Sequence, residues 1–431
     1  MADDGTIGAV RAHRIWDSRG RPTVEVEVEL ADGTIGRGIA PAGASRGEHE
    51  AIDLRDGGEA HGGQGVRAAV DNVRREIAPA LVGRDALDQA GIDRGLIALD
   101  GTPNLARLGG NATIATSMAV LHAAAALRGV PLWRHLAGGC EASLPMPEIQ
   151  VFGGGAHAGR RLDVQDLLAM PLDAASFDEA LSMCADVYHA AGAIMASRGR
   201  LAGVADEGGW WPDFASNEQA IATLAEAIER SGHAGRVAIS LDVAASEFFA
   251  DGRYRLSLDG REHDTDGWIE AMLRWIDRYP IASIEDPVSE RDRAGMAAFT
   301  RAAGDRIQVI GDDFLVTSAA RVEAAIAEGC CNAVLVKPNQ AGTITGALEA
   351  LERARDAGWG TIVSARSGET EDTTIVHLAV GWNAGQLKVG SFARSERMAK
   401  WNEGLRIERS TPGLRFAGRD ALPACAARRT R

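Results

Sequence analysis

The chain has 431 residues, with 46 Lys or Arg against 60 Asp or Glu and a formal net charge of −14. That balance speaks against nucleic acid as a partner, because neutralising a phosphate backbone needs a basic face, but it leaves room for a small anion held by a local cluster or a metal. The composition, 45% hydrophobic and 25% charged, is that of a globular chain, and five scattered cysteines with no C-x-x-C pair, no secretory-type leader and no run of about 18 apolar residues point to a reducing cytoplasm without a membrane partner.

In chain order, residues 23–30 read T-V-E-V-E-V-E-L, a strict period-2 strand with Val24, Val26, Val28 and Leu30 inward. Asp32-Gly33 supplies a hairpin turn into a second strand over 34–39. A loop rich in Gly, Ala, Ser and Pro covers 41–47, and helical patterns follow over 66–81 and 112–127. Residues 1–138 therefore form an α+β unit of about one domain length. From 144 to 420 short apolar runs alternate with helix-length amphipathic stretches. The runs are 237–241, 281–284, 307–310, 333–336, 361–363 and 387–389, and the helices fall near 266–277, 291–303, 319–327, 346–357, 373–380 and 395–405. So many β-α units in series predict a parallel sheet closed into a barrel. The Ala- and Arg-rich tail, 421–431, is expected to fray.

Each apolar run finishes on a charged or polar residue. Asp242, Glu285, Asp312 (through Gly311), Lys337, and Arg366 with Ser367 follow successive runs, and Lys388 lies inside the last one. The C-terminal strand ends of a barrel converge on one face, so these residues should share a pocket. A single Asp after a strand is ordinarily a loop residue or helix cap. Three carboxylates on successive strand ends repel one another unless a cation sits among them, and hard oxygen ligands suit Mg²⁺. A lysine beside such a cation has its pKa pushed down and becomes usable as a general base; Lys337 is the candidate. Lys388 and Arg366 would hold anionic groups.

These residues sit in motifs that resemble the enolase family over nearly the whole chain. The motifs are DSRGRPTVEVEVEL from Asp17, PAGASRGEHEA from Pro41, GAHAG from Gly155, DEGGWWP from Asp206, LDVAASEFF from Leu241, SIEDP from Ser283, GDDFLVT from Gly311, VKPNQAGT from Val336 and RSGETEDT from Arg366. The resemblance implies an α/β fold, an enolase-type modified (β/α)8 barrel with an N-terminal α+β capping domain, assembled as a homodimer. It implies Asp242, Glu285 and Asp312 as Mg²⁺ ligands and Lys337 as the base that removes the C2 proton of 2-phosphoglycerate. Glu207 would help the C3 hydroxyl leave, within a network that includes Asp166. Lys388 would face the substrate carboxylate, and Arg366 and Ser367 the phosphate. Ser45 and Arg46 lie in one mobile loop that reaches the substrate and His157 in a second; Gln165 is counted with the substrate-binding group. Two Mg²⁺ ions and Lys388 would stabilise the charge created by taking a proton α to a carboxylate.

The chain departs from the family pattern near the chemistry. Asp166 stands for the usual Glu, a loss of one methylene of reach that can cost ~10²-fold in rate, and Ala365 stands for the usual His of SHRSGE. Arg46 replaces a Thr, Arg160 and Arg161 follow the His157 loop, and Gly153 and Ala156 replace Asn and Ser. Three readings follow: a working enolase with tolerated substitutions, a diverged paralogue such as carboxyphosphonoenolpyruvate synthase, whose phosphonate substrate the arginines would bind, or a non-catalytic binding protein. The intact set Asp242, Glu285, Asp312, Lys337 and Lys388 opposes the third.

Overall fold

The computed structural model describes residues 5–423. The chain opens with an antiparallel three-stranded sheet, β1 (Ile7–Trp16), β2 (Pro22–Leu30) and β3 (Ile35–Ile39). Val24, Val26 and Val28 are fully buried, as their alternation requires. They face the Gly110–Leu127 helix, which is buried on almost every side. Gly36 and Gly38 permit this close approach, since a Cβ on Gly36 would lie 2.2 Å from the Ala123 backbone nitrogen. The opposite face of the helix docks on the rest of the chain, where Thr113 Oγ1 donates to the Gly342 carbonyl (2.8 Å) and Ser117 Oγ accepts from the Ile344 N–H (3.0 Å).

Among the described residues eight strands close a barrel in chain order: β4 (Met146–Gly153), β5 (Asp166–Pro171), β6 (Val237–Asp242), β7 (Ile281–Glu285), β8 (Gln308–Gly311), β9 (Ala333–Val336), β10 (Gly360–Ser364) and β11 (Gly385–Gly390). The six strands expected from the apolar runs are all present. The all-parallel expectation needs correction, because β5 runs antiparallel to both β4 and β6. No α-helix separates β4 from β5, only a single 3-10 turn, Gly155–Ala158, and a two-strand hairpin needs no more. Instead the connection carries His157. Two helices, Phe177–Ser197 and Asn217–Arg230, then lie between β5 and β6.

The barrel interior is layered. Met146, Met170, Ala238, Ala282 and Leu422 pack together at the bottom. Above them Gln308 donates to Ser283 (3.1 Å) and exchanges hydrogen bonds with Gln386. The first residues of the expected frayed tail are packed: Gln386 Nε2 donates to the Ala421 carbonyl (3.1 Å) and Leu422 is buried. Residues 424–431 lie outside the described residues. The charged residues gather at the opposite end. Among the described residues no helix is long and apolar enough to cross a membrane.

Trp401 fixes the C-terminal helix, Ser395–Ser410, against the barrel. It is fully buried, packs at 6.4 Å from the Phe177 ring, and donates its indole N–H to the Ser391 carbonyl (3.2 Å). Trp401→Ala should therefore cost about 3–5 kcal/mol of stability, read from the midpoint shift in urea unfolding.

Candidate active site

A small cleft opens at the C-terminal mouth of the barrel. Its walls include Ser45, His157, Gln165, Asp166, Glu207, Asp242, Lys337, Arg366, Ser367 and Lys388, residues spread over more than 340 positions of sequence. Glu285 and Asp312 lie at its floor through contacts with the two lysines. Lys388 Nζ donates to Asp242 Oδ2 (2.9 Å) and Glu285 Oε2 (2.7 Å). This follows from register: Glu285 pairs with Asp242 between β7 and β6, so their side chains emerge together. Lys337 Nζ donates to Asp312 Oδ2, whose other oxygen accepts from Gln340 Nε2 (3.0 Å).

The lowering expected for Lys337 belongs to a site with a cation beside it. With the carboxylates alone, burial is the largest single influence and lowers the pKa, but Asp312 in contact and Glu285 nearby together turn the net direction upward. Lys388 is likewise pushed well up, with Asp242 and Glu285 overcoming burial. Glu285 is pushed up by burial and by its acidic neighbours, and its Oε1 is buried without a hydrogen-bond partner.

A second group sits across the cleft. His157 Nδ1 is 2.9 Å from Asp166 Oδ1, and its Nε2 is 3.7 Å from Glu207 Oε1. Burial alone would lower the imidazole pKa, yet Asp166 and Glu207 push it up to about 9. The reciprocal effect is on Glu207, held below its usual range despite burial because His157, Arg397 and the two lysines favour its charge.

The phosphate-side residues are preorganised by buried partners. Arg366 Nη1 donates to Glu50 Oε2 (2.8 Å) and Nη2 to the Ser45 carbonyl (2.8 Å), which ties the 41–47 loop over the cleft. Gly43 is required there, because a Cβ would lie 1.8 Å from Arg366 Nη2. Arg397 holds the backbone of the same segment, donating to the carbonyls of Arg366 (2.7 Å) and Ser367 (2.6 Å). Ser367 Oγ accepts from Arg19 Nη1 (3.3 Å).

The residue set fits a divalent cation by its chemistry. Asp242, Glu285 and Asp312 offer hard oxygen donors, and the partnerless Glu285 Oε1 is an acceptor of the kind such an ion engages. The three do not form the tightest acidic groups, however. Among the described residues those are His157, Asp166 and Glu207, and Asp286, Asp312 and Asp313, each with one ligand atom per residue lying within 4.8 Å of the others. Lysine ammonium groups pair with Asp242, Glu285 and Asp312, and Gln165 and Gln340 donate to Asp242 and Asp312.

The sequence comparisons agree with this geometry. The model described as the enolase N-terminal domain matches residues 7–136, and that of the enolase C-terminal TIM barrel domain matches residues 141–424. An Enolase 1 of Desulfitobacterium hafniense (strain Y51) is 48% identical over 407 residues, covering 93% of each chain. The chain belongs to the enolase family. It is a lyase of the enolase superfamily, and its departures from the enolase pattern can be located on the structure. Asp166 is fully buried and still reaches the cleft, anchored by His157 and by Gln150 Nε2. Ala365 lines the cleft beside Arg366.

The three arginines do not turn inward. Arg46, expected among the substrate-binding residues, pairs with Asp53 (2.8 Å) and stays 42% exposed. Arg160 pairs with Glu247 (2.6 Å), and Arg161 approaches Asp213 (3.8 Å). Acidic side chains engage all three guanidinium groups, which stay exposed. The phosphonate-substrate reading rested on these arginines and loses that support.

Glu50, Gln150, Gln340, Asp286 and Arg397 were not picked out from the sequence. Glu50, Gln340 and Asp286 lie inside motifs that carried the family resemblance, so the signal was present without a role attached. Gln150 lies on a strand whose continuous burial hid it among apolar neighbours.

Two outcomes follow. With a folded pKa of about 9 against 6.5 unfolded, protonated His157 stabilises the fold fully below pH 6.5, and this contribution disappears as pH rises through 9. Unfolding free energy measured at pH 6 to 9.5 should fall relative to His157→Gln across that window; parallel curves would remove the assigned ion pair. Arg46→Ala should change stability by less than about 1 kcal/mol, as expected for an exposed pair, and leave the KM for a phosphorylated substrate within about threefold.

Proposed function

We propose that this enolase-family chain is a Mg²⁺-dependent phosphopyruvate hydratase that dehydrates 2-phosphoglycerate to phosphoenolpyruvate. The observation that carries this reading is the placement of an amine, Lys337, and a carboxyl, Glu207, on the same cleft as the cationic anion holders Lys388 and Arg366. An α-proton elimination needs a base at C2, an acid at the C3 hydroxyl, and positive charge around the carboxylate and phosphate.

In this reading Lys337 takes the C2 proton. Its amine must be neutral to do so, which requires the Asp312 charge to be engaged elsewhere; Asp242, Glu285 and Asp312 would hold a divalent cation that would engage it. The bound ion supplies electrostatic stabilisation of the charge that builds on the substrate carboxylate. Lys388 faces that carboxylate, and Arg366 with Ser367 holds the phosphate. Glu207, whose charged form is favoured in the free site, relays a proton from His157 to the departing C3 hydroxyl. His157 Nε2, 3.7 Å from Glu207 and protonated up to about pH 9, is the adjacent proton source. The C2–H and C3–O bonds break, the C2–C3 double bond forms, and water leaves. Asp166 orients the imidazole through Nδ1, so its shorter side chain still performs the task of holding His157.

Purified protein with Mg²⁺ and 2-phosphoglycerate should produce phosphoenolpyruvate, followed by ultraviolet absorbance, at a turnover on the order of 1–10³ s⁻¹. Absence of turnover while Mg²⁺ still raises the melting temperature would reject 2-phosphoglycerate as substrate. Lys337→Ala should abolish exchange of the C2 proton with solvent; exchange that persists would assign the base elsewhere.

A further inference from the structure

The residue after Glu285 has no place in the chemistry above, yet it is hydrogen-bonded to the backbone at Asp312 and Asp313 and at Ala245, just beyond β6. Asp286 is 5% exposed and adopts φ +40°, a left-handed backbone that is costly for a residue with a Cβ. Its Oδ1 accepts from the backbone N–H of Asp312 (2.9 Å) and its Oδ2 from that of Asp313 (2.8 Å). Its own N–H donates to the Ile310 carbonyl at the end of β8 (3.0 Å), and its carbonyl accepts from the Ala245 N–H just beyond β6 (3.2 Å). One residue thus fastens together the ends of β6, β7 and β8, from which Asp242, Glu285 and Asp312 project.

We infer that Asp286 is a positioning residue for the cation site, setting where the Asp312 carboxylate stands relative to Asp242 and Glu285. The inference rests on the reading of those three as ligands. A carboxyl accepting two successive N–H groups fixes both the position and the orientation of the peptide between them, so Asp312 Cα cannot swing without breaking two hydrogen bonds. The strained φ is retained because only that backbone aims the carboxylate at the 312–313 turn. Asp313 provides the internal comparison. It is buried in the same acidic group, but its Oδ1 has no hydrogen-bond partner. If local negative charge set cation affinity, Asp313 would matter as much as Asp286; if the clamp sets it, Asp286 alone would.

The test is Mg²⁺ binding by titration calorimetry on the full chain without substrate, with melting temperature recorded in the absence of Mg²⁺. Asp286→Asn, which replaces one acceptor by a donor, should weaken Mg²⁺ about tenfold or more, the usual scale for losing a group that orients a metal ligand. Asp286→Glu keeps the charge and both acceptors but displaces them by a methylene, and should weaken binding similarly; it also serves if Asp286→Asn does not fold. Asp313→Asn should change affinity by less than about threefold. Wild-type affinity in the Asp286 variants, even with lowered melting temperature, would overturn the inference by leaving Asp286 a purely structural role. Equal weakening by Asp313→Asn would overturn it in favour of charge. Undiminished binding by Asp242→Ala, or no binding by the wild type, would overturn the ligand reading itself and the inference with it.

Discussion

The site is organised by the burial of many carboxylates at one end of a barrel. Asp166, Glu207, Asp242, Glu285, Asp286, Asp312 and Asp313 are each no more than 7% exposed. Removing a carboxylate from water is expensive unless its charge is compensated at short range. The compensation takes three forms. Lys388 and Lys337 serve the strand-end acids directly, His157 serves the pair across the cleft, and backbone N–H groups serve Asp286. Much of the surrounding architecture is arranged to keep these few contacts in place.

That requirement explains why the barrel is polar in its middle layer. Lys388 must reach from β11 to acids on β6 and β7, across the interior. The layer beneath is built from Gln308, Gln386 and Ser283, which satisfy one another and leave the lysine no competing carboxylate of their own. Only below them does the packing become apolar, with Met146, Met170 and Leu422 closing the bottom. Glu148 is the exception, fully buried with both oxygens lacking a partner, and burial pushes its carboxyl up towards the neutral form.

The loops that close over the cleft are held by a different logic. The 41–47 loop is tied through Arg366, itself buried and paired with Glu50, so the same guanidinium that faces the cleft also anchors its cover. Arg46, Arg160 and Arg161 attach the loops from outside through exposed ion pairs, contacts that contribute little to stability and are weakened by salt. Inner and outer arginines therefore do different work despite lying close in the fold.

The sequence by itself determined the repeated strand and helix periods, because apolar alternation and amphipathic spacing are local properties of the chain. It also determined that Asp242, Glu285, Asp312, Lys337 and Lys388 end on one face, because a parallel barrel has only one such face. It could not reveal that β5 runs backwards, since strand direction leaves no mark on an apolar run, nor that β4 and β5 belong to the barrel without an α-helix between them. Direction of side chains in loops was equally hidden: Arg46 reads as a cleft residue from its motif, yet it pairs with Asp53. The pairing of lysines with strand-end acids, the Glu50 partner of Arg366 and the clamp by Asp286 were decided by tertiary structure alone, because each joins groups brought within hydrogen-bond distance only when the sheet closes and the loops fold back over it.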